Sequence, residues 1–254
     1  MTDAFTHHYF VDYSDVDDKL TLRPSHLVEF LQNIAILHSN TAGYDLNWFK
    51  ENHKGWVLTH WHIRISRLPK ESEELTLQTW SAPYKRARAN RDFLLEDASG
   101  REICYASSRW VLIDTQKRRP IKFDEEFFQA YTGETLRTFR PESFSFPQLP
   151  EEVPQGSRSF VVTRRDTDTN GHANNAAYID WAIDDIPDAL YANHHLEDIR
   201  ATYKKECLKG DQVRSSLYIR PLDPSKKEII SIFEDKHDPT KIFCEVSTIW
   251  RRVD

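Results

Sequence analysis

Cysteine is scarce in this chain: Cys104, Cys207 and Cys244 are the only three in 254 residues. They are odd in number and widely spaced, which excludes a disulfide framework and paired metal-ligand motifs and fits a reducing compartment. Long apolar runs are missing too, and no window reaches the length needed to span a bilayer. The opening residues, MTDAFTHHYF, have neither the basic stretch nor the apolar core of an export signal. The expected address is therefore cytoplasmic, with no membrane span. Basic charge is not in excess either. A formal net charge of -6 argues against a generic nucleic-acid binder. The histidines at 7, 8, 194 and 195 stand at no ligand spacing with acids or cysteines, so no metal is expected, and no other cofactor.

What is present suffices for real cores. A hydrophobic content of 39% with 12% aromatics supports one large domain or two of about 120 residues each. The order of elements occurs twice. HHYFVDYS reads as a strand and DVDDKLTLR as a loop, and Pro24 and Ser25 then open a helix. Leu27, Phe30, Leu31, Ile34 and Leu37 place its apolar residues on one face, and Gly43 stops it. Strands follow in WVLTHWHIRISRL, ELTLQTW, NRDFLLED and REICYASSRWVLID, with DASG as a turn between the last two. In the second half SRSFVVTR is a strand and NNAAYIDWAIDDI a helix ended by Pro187. Four strands follow, in IRATYKKECL, DQVRSSLYIRPL, KEIISIFED and KIFCEVSTIWRR. Cys104 matches Cys244 and Trp110 matches Trp250, both 140 residues apart (244 − 104). The proline-rich RPESFSFPQLPEEVPQG separates the halves. The pattern predicts an α+β protein built as a tandem (double) hotdog, each half a long helix wrapped by an antiparallel sheet. Its expected parts are residues 1–140, a linker at 141–156, and residues 157–254.

One stretch is more polar than a turn requires: DTDTNGHANNAAYIDW, residues 166 to 181. If it is extended, Asp166, Asp168, Asn170 and His172 project from one side. Asn174 or Asn175 can cap the helix that follows, whose start offers N–H groups and a positive dipole end to a carbonyl oxygen gaining charge. Acid, base, orienting amide and carbonyl polariser are parts of an acyl-transfer or hydrolysis site. The same residue types also furnish an ordinary loop-to-helix junction, and the residues alone leave both readings open.

This stretch resembles the signature of the acyl-acyl-carrier-protein thioesterases, the plant FatA/FatB type and their bacterial relatives. Their pattern D-x-N-x-H-V-N-N-x-x-Y-I is kept here at every fixed position except Val, which is Ala173. A second signature, Y-R-R-E-C, is matched by YKKEC from Tyr203 to Cys207. HLVEFLQNIAILHSNTAG and RDFLLEDASGREICYASSRWVLID extend the likeness over the N-terminal half. The resemblance implies catalytic roles for Asp168, Asn170, His172 and Glu206, with Glu206 on a strand facing the helix start. It also implies a C-terminal catalytic half and a non-catalytic N-terminal half housing the acyl chain. Two routes fit that set: attack by Asp168 through a transient mixed anhydride, or a single water attack with the carboxylates and His172 as general base. A Cys207–His172 nucleophile pair is the rival, against a Cys207 that is a small buried apolar residue.

The implied partner is acyl carrier protein carrying a fatty acyl-phosphopantetheine. Being acidic, it calls for a basic docking face. Candidates are Lys85, Arg86, Arg88 and Arg91; Lys117, Arg118 and Arg119; and Arg164 with Arg165 beside the site. A homodimer is compatible with the sequence. The alternatives are an acyl-CoA thioesterase, a hotdog hydratase or dehydratase, whose Asn-Pro before the histidine is absent, and a non-catalytic acyl-binding protein.

Overall fold

A computed structural model describes residues 4–85, 87–122, 124, 127, 130–131, 144–148 and 153–253. The chain divides into two units, one of residues 1–61 and 68–143, the other of residues 62–67 and 144–254. Much of the proline-rich segment 141–156 lies outside the described residues.

In the first unit, β1 (Phe5–Phe10) leads through a 3-10 turn (Tyr13–Asp15) to α1 (Pro24–Thr41), then α2 (Leu46–Glu51). The strands β2 (Lys54–Ile65), whose residues from His62 on fall in the other unit, β3 (Glu74–Lys85), β4 (Arg88–Asp97) and β5 (Glu102–Asp114) follow, with the two-residue β6 (Arg119–Pro120) against β5. The spatial order is β1-β3-β4-β5-β2, antiparallel from β1 through β5. Pro24 stands at the first turn of α1, where its fixed φ suits the helix and its missing N–H costs nothing. At the other end the helix stops at Gly43, whose φ of +88° is left-handed.

Leu27, Val28, Leu31, Ile34 and Ala35 form the buried face of α1, while Leu37 is exposed and Phe30 only half-buried. At about 100° per residue, Phe30 and Leu37 swing some 60–80° to one side of Leu27, whereas Val28 and Ala35 lie on the other. The apolar face is therefore rotated from the one its spacing predicts. Leu75, Leu77, Trp80, Phe93 and Leu95 are fully buried strand residues of the same unit. Each such side chain contributes roughly 1.5–3 kcal/mol. The short α2, capped by Asp45 through the Trp48 amide, went unread in the sequence. Its Phe49 packs with Leu112, Phe127 and Tyr131 in a separate aromatic cluster.

The second unit repeats the order. β7 (Gly156–Val161) runs through a 3-10 turn (Arg164–Asp166) to α3 (Asn175–Asp184), α4 (Asp188–Asn193), β8 (His194–Tyr203), β9 (Gln212–Asp223), β10 (Lys226–Asp235) and β11 (Ile242–Arg252). Its spatial order is β8-β11-β10-β9-β7, all antiparallel. Ala176, Ala177, Tyr178, Ile179, Trp181 and Ala182 bury α3 nearly all round. Trp181 packs on Phe160 of β7 and Phe233 of β10. Pro187 ends this helical run as expected, but only to cap α4, which the sequence pattern did not announce.

The two units match element by element. β1 and β7 share the same alternation of exposed and half-buried positions, and each pairs with the strand that opens its own meander. Trp110 in β5 donates its indole N–H to Ser108 two residues earlier, and Trp250 in β11 does the same to Thr248. Among the described residues, no helix is long and apolar enough to cross a membrane.

Candidate active site

The stretch from Asp166 to Asn175 is not extended. Thr167 and Ala173 pair across a tight turn, closed by Asp168 N–H donating to His172 O (2.8 Å) and Gly171 N–H donating to Asp168 O (3.0 Å). Gly171 sits at φ +78°, where glycine avoids the strain any Cβ would bring. The expected single row of side chains is thus replaced by a loop whose backbone folds around one carboxylate. Asp168 Oδ1 accepts from the amides of Asn170 (2.8 Å) and His172 (3.1 Å), and Oδ2 lies 3.4 Å from Asn170 Nδ2. An Asx-type turn of this kind satisfies amides that have no ladder partner.

Asp166 leaves the set. Its carboxylate caps the preceding 3-10 turn, accepting from Thr163 N–H (2.7 Å) and Thr163 Oγ1 (2.6 Å). Its carbonyl accepts from Asn174 N–H (2.8 Å), which fixes where the turn hands over to α3. Asn174 is the helix cap, its Oδ1 accepting from Ala176 N–H (3.1 Å). That amide is consequently taken, while the positive end of the helix dipole remains. Asn175 supplies the carbonyl that the Tyr203 hydroxyl donates to (3.0 Å). Burial raises the Tyr203 pKa well above its ordinary value, so the phenol stays protonated and able to donate.

Glu206 stands beyond the end of β8, not on a strand. The ladder finishes at Tyr203, and the amides of Lys204 and Lys205 both donate to Phe243 O as the chain turns away. The segment nonetheless returns to the polar turn: Ala173 N–H donates to Cys207 O (2.8 Å), and His172 pairs with Leu208. Asp211 ties this return by accepting from Leu208 N–H (2.9 Å), a contribution the sequence reading missed. The backbone of His172 and Ala173 thus lies beside that of Cys207 and Leu208, just ahead of α3. Asp168, Asn170 and Glu206 are exposed and His172 is half-buried.

Glu206 and Cys207 part ways as expected, the first exposed and the second 1% exposed. Burial above all, with Asp211 close by, pushes the Cys207 thiol up to about 12. Cys207 is thus placed as a small buried residue, and a thiol raised in this way carries little thiolate near neutrality. Arg164 and Arg165 are exposed beside the turn. Of the other basic candidates, Arg88 and Lys117 to Arg119 are exposed, and the side chains of Lys85 and Arg86 fall outside the described ones. Arg91 is buried and donates to His38 Nδ1 (2.9 Å) and Thr79 Oγ1 (3.2 Å) inside the first unit. It cannot serve a docking face, because its inward position on β4 points it at α1.

Family models for the acyl-ACP thioesterase N-terminal domain and C-terminal domain match residues 2–131 and 152–252. The chain belongs to the acyl-ACP thioesterase family. Oleoyl-acyl carrier protein thioesterase 2 of Arabidopsis thaliana is 28% identical over 85% of this chain and 63% of its own length. The oleoyl-acyl carrier protein thioesterase of Coriandrum sativum is 30% identical over 74% of this chain and 55% of its own. The chain thus spans less than two thirds of the length of these chloroplastic relatives. An acyl-ACP thioesterase from Bacteroides thetaiotaomicron has the same fold, with a TM-score of 0.82, 97% of each chain covered and 23% identity. That fold is the double hotdog, in agreement with the element order of the sequence.

Proposed function

We propose that this chain hydrolyses the thioester of fatty acyl-acyl carrier protein, releasing free fatty acid and ending chain elongation. Membership of the acyl-ACP thioesterase family supports the reaction class. The observation that supports the reading is the backbone bond from Ala173 N–H to Cys207 O, with His172 paired to Leu208, which brings the turn of Asn170 and His172 beside the segment after Glu206 at the start of α3. His172 takes a proton from a water, and the hydroxyl oxygen bonds to the thioester carbonyl carbon. Glu206 stabilises the imidazolium, while Asn170 and the dipole end of α3 orient and stabilise the carbonyl oxygen. The C–S bond then breaks, the proton passes from His172 to the departing thiolate, and the products are a fatty acid and the carrier-protein thiol. Residues 157–254 are the catalytic half in this reading and residues 1–140 the acyl-chain half, with no metal or other cofactor in any step.

Acidic acyl carrier protein, bearing its acyl-phosphopantetheine, would dock near Arg164 and Arg165 with Asn174 and Asn175 at the substrate's edge. The reducing cytoplasm suits the three free, buried cysteines. Charge reversal of Arg164 and Arg165 together is expected to lower kcat/KM on carrier-protein substrate about tenfold more than on a short thioester. Equal losses would remove docking from their role.

The decisive assay measures free acid and free thiol from a panel of acyl carrier protein and acyl-CoA thioesters. Wild type should turn over the carrier-protein substrates, and His172→Ala should lose about 10²–10⁴-fold. A wild-type protein that releases neither product from any carrier-protein substrate ends the proposal. Preference for acyl-CoA would move the reading to its nearest alternative.

A further inference from the structure

We propose that the ion pair of Lys204 with Glu245 is a positioning device of the catalytic half, fixing the chain as it leaves β8 so that the segment of Glu206 is held against the turn carrying Asn170 and His172. This rests on the hydrolytic reading of the site and adds to it two residues that act through Glu206. The ground is a comparison inside the chain, between what both halves build and what only the second contains.

Both halves build the polar turn and the clasp beside it. Asp17 Oδ1 accepts from the amides of Lys19 and Thr21 (both 3.0 Å) ahead of α1, as Asp168 Oδ1 does from Asn170 and His172 ahead of α3. Leu20, at φ +56°, stands where Gly171 does. In the second unit Leu208 N–H donates to Asp211 Oδ2 (2.9 Å), Gly210 N–H to Val162 O (2.9 Å) and Val162 N–H to Asp211 O (3.0 Å). In the first, Lys70 N–H donates to Glu73 Oε1 (2.9 Å), Ser72 N–H to Val11 O (2.9 Å) and Val11 N–H to Glu73 O (3.0 Å). Leu22 N–H reaches Pro69 O (2.8 Å) as Ala173 N–H reaches Cys207 O. Turn and clasp are thus accounted for by the fold.

The ion pair is not. Along the matched clasp, 138 residues apart (207 − 69), Lys204 falls at Ser66; along the strands of Cys104 and Cys244, 140 apart (244 − 104), Glu245 falls at Tyr105. The first half therefore folds with a hydroxyl and a phenol where the second holds an ammonium against a carboxylate. Glu245 is 3% exposed, and taking a carboxylate out of water costs solvation that pairing offsets only in part. What the pair supplies is a fixed point two residues before Glu206. Without it, the departure from β8 rests on the Lys204 and Lys205 amides sharing Phe243 O at 2.8 and 3.2 Å, the longer at the outer edge of the usual range. A catalytic group misplaced by about 1 Å is costly in rate.

Grafting the first half's residues is the test, because Lys204→Ser with Glu245→Tyr removes both charges and strands no buried carboxylate. On an acyl carrier protein substrate the graft is expected to lose at least about tenfold in kcat, with KM changed less than about threefold. In a Glu206→Ala background, followed by single turnover, the same graft should cost less than about twofold, since its effect passes through the glutamate. A pair that merely stabilised the sheet would cost melting temperature and the same factor in both backgrounds. Glu197→Gln, which weakens a comparable pairing with Lys226 and Arg251 near the start of β8, should leave kcat within about twofold. Where the graft does not fold, Glu245→Gln keeps the side chain's size and should lose about threefold or more, a loss that vanishes without Glu206. The assignment is overturned if the folded graft, or Glu245→Gln in its place, turns over within about twofold of wild type or loses the same factor with and without Glu206. Failure of wild type to release fatty acid would instead defeat the hydrolytic reading before the pair is tested.

Discussion

Asp17 and Asp168 hold matching turns ahead of the two principal helices, yet only the second turn carries an imidazole and a side-chain amide. The helices differ as well: α1 runs 18 residues and α3 only 10, or about 27 Å against about 15 Å. One face of α1 is buried and the rest is wet, whereas α3 is buried almost all round. A shared backbone scaffold has thus been loaded twice, once with Lys19 and Thr21 and once with Asn170 and His172. Hydrogen bonding from an aspartate to backbone amides depends little on the neighbouring side chains, so the loop can change its cargo without changing its shape. Chemistry then follows from what hangs on the turn and from what the return of residues 206–208 brings beside it.

The largest expected effect comes from exchanging that cargo. Replacing Asn170 and His172 together by the Lys and Thr of the first half should abolish turnover by about 10²–10⁴-fold or more. The melting temperature should stay within a few degrees, since the turn is tied by Asp168. If the double variant unfolded instead, the two turns would not be interchangeable scaffolds.

Acid should separate the halves next. Burial above all, with the Arg91 guanidinium beside it, lowers the His38 pKa to about 4, and Arg91 donates to its unprotonated Nδ1. A depressed histidine contributes stability that is fully present above its unfolded value near 6.5 and is lost as pH falls through about 4. Denaturant unfolding followed by first-unit hydrogen exchange should therefore weaken by about 2 kcal/mol between pH 7 and 4.5, after discount for the part-exposed ring. His38→Asn should flatten that slope. An unchanged slope in the variant would place the acid sensitivity elsewhere.

The smallest effects concern the left-handed position of the turn. Gly171→Ala is expected to cost about 1 kcal/mol, because space is open around it and only the φ of +78° resists a Cβ. Leu20→Gly, at φ +56° and half exposed, should be neutral or stabilising by about 0.5 kcal/mol, as relief of strain offsets greater freedom in the unfolded chain. Thermal melts of the two single variants would sharpen the comparison if their signs differ, and weaken it if both lose stability equally.

Particular elements show how far residue pattern reaches. The strands from KEIISIFED and KIFCEVSTIWRR appear within a residue of their sequence limits, because alternation with β-branched and aromatic residues is a local property. Pro24 and Gly43 marked the limits of α1 for the same reason. The face of that helix was misjudged by Phe30 and Leu37, since apolar spacing does not reveal which edge of a wide stripe meets the sheet. Arg91 looked like surface charge in KRARANR until strand pairing turned it inward. The polar stretch announced its importance but not its shape: an alternating row and a closed turn use the same Asp, Asn and Gly.

By itself, then, the amino-acid order determined the duplicated arrangement of elements, the family and the residue types gathered near 166–175, because these depend on periodicity, capping and motif along the chain. Tertiary structure alone decided that Asp168 faces its own backbone, that Asp166 belongs to a cap, and that Cys207 is sealed away while Glu206 stays in water. The burial of Cys207 turns on packing between segments distant in the chain, while the Asp168 turn and the Asp166 cap are local bonds that a row and a closed turn of the same residue types leave undecided until the backbone is fixed.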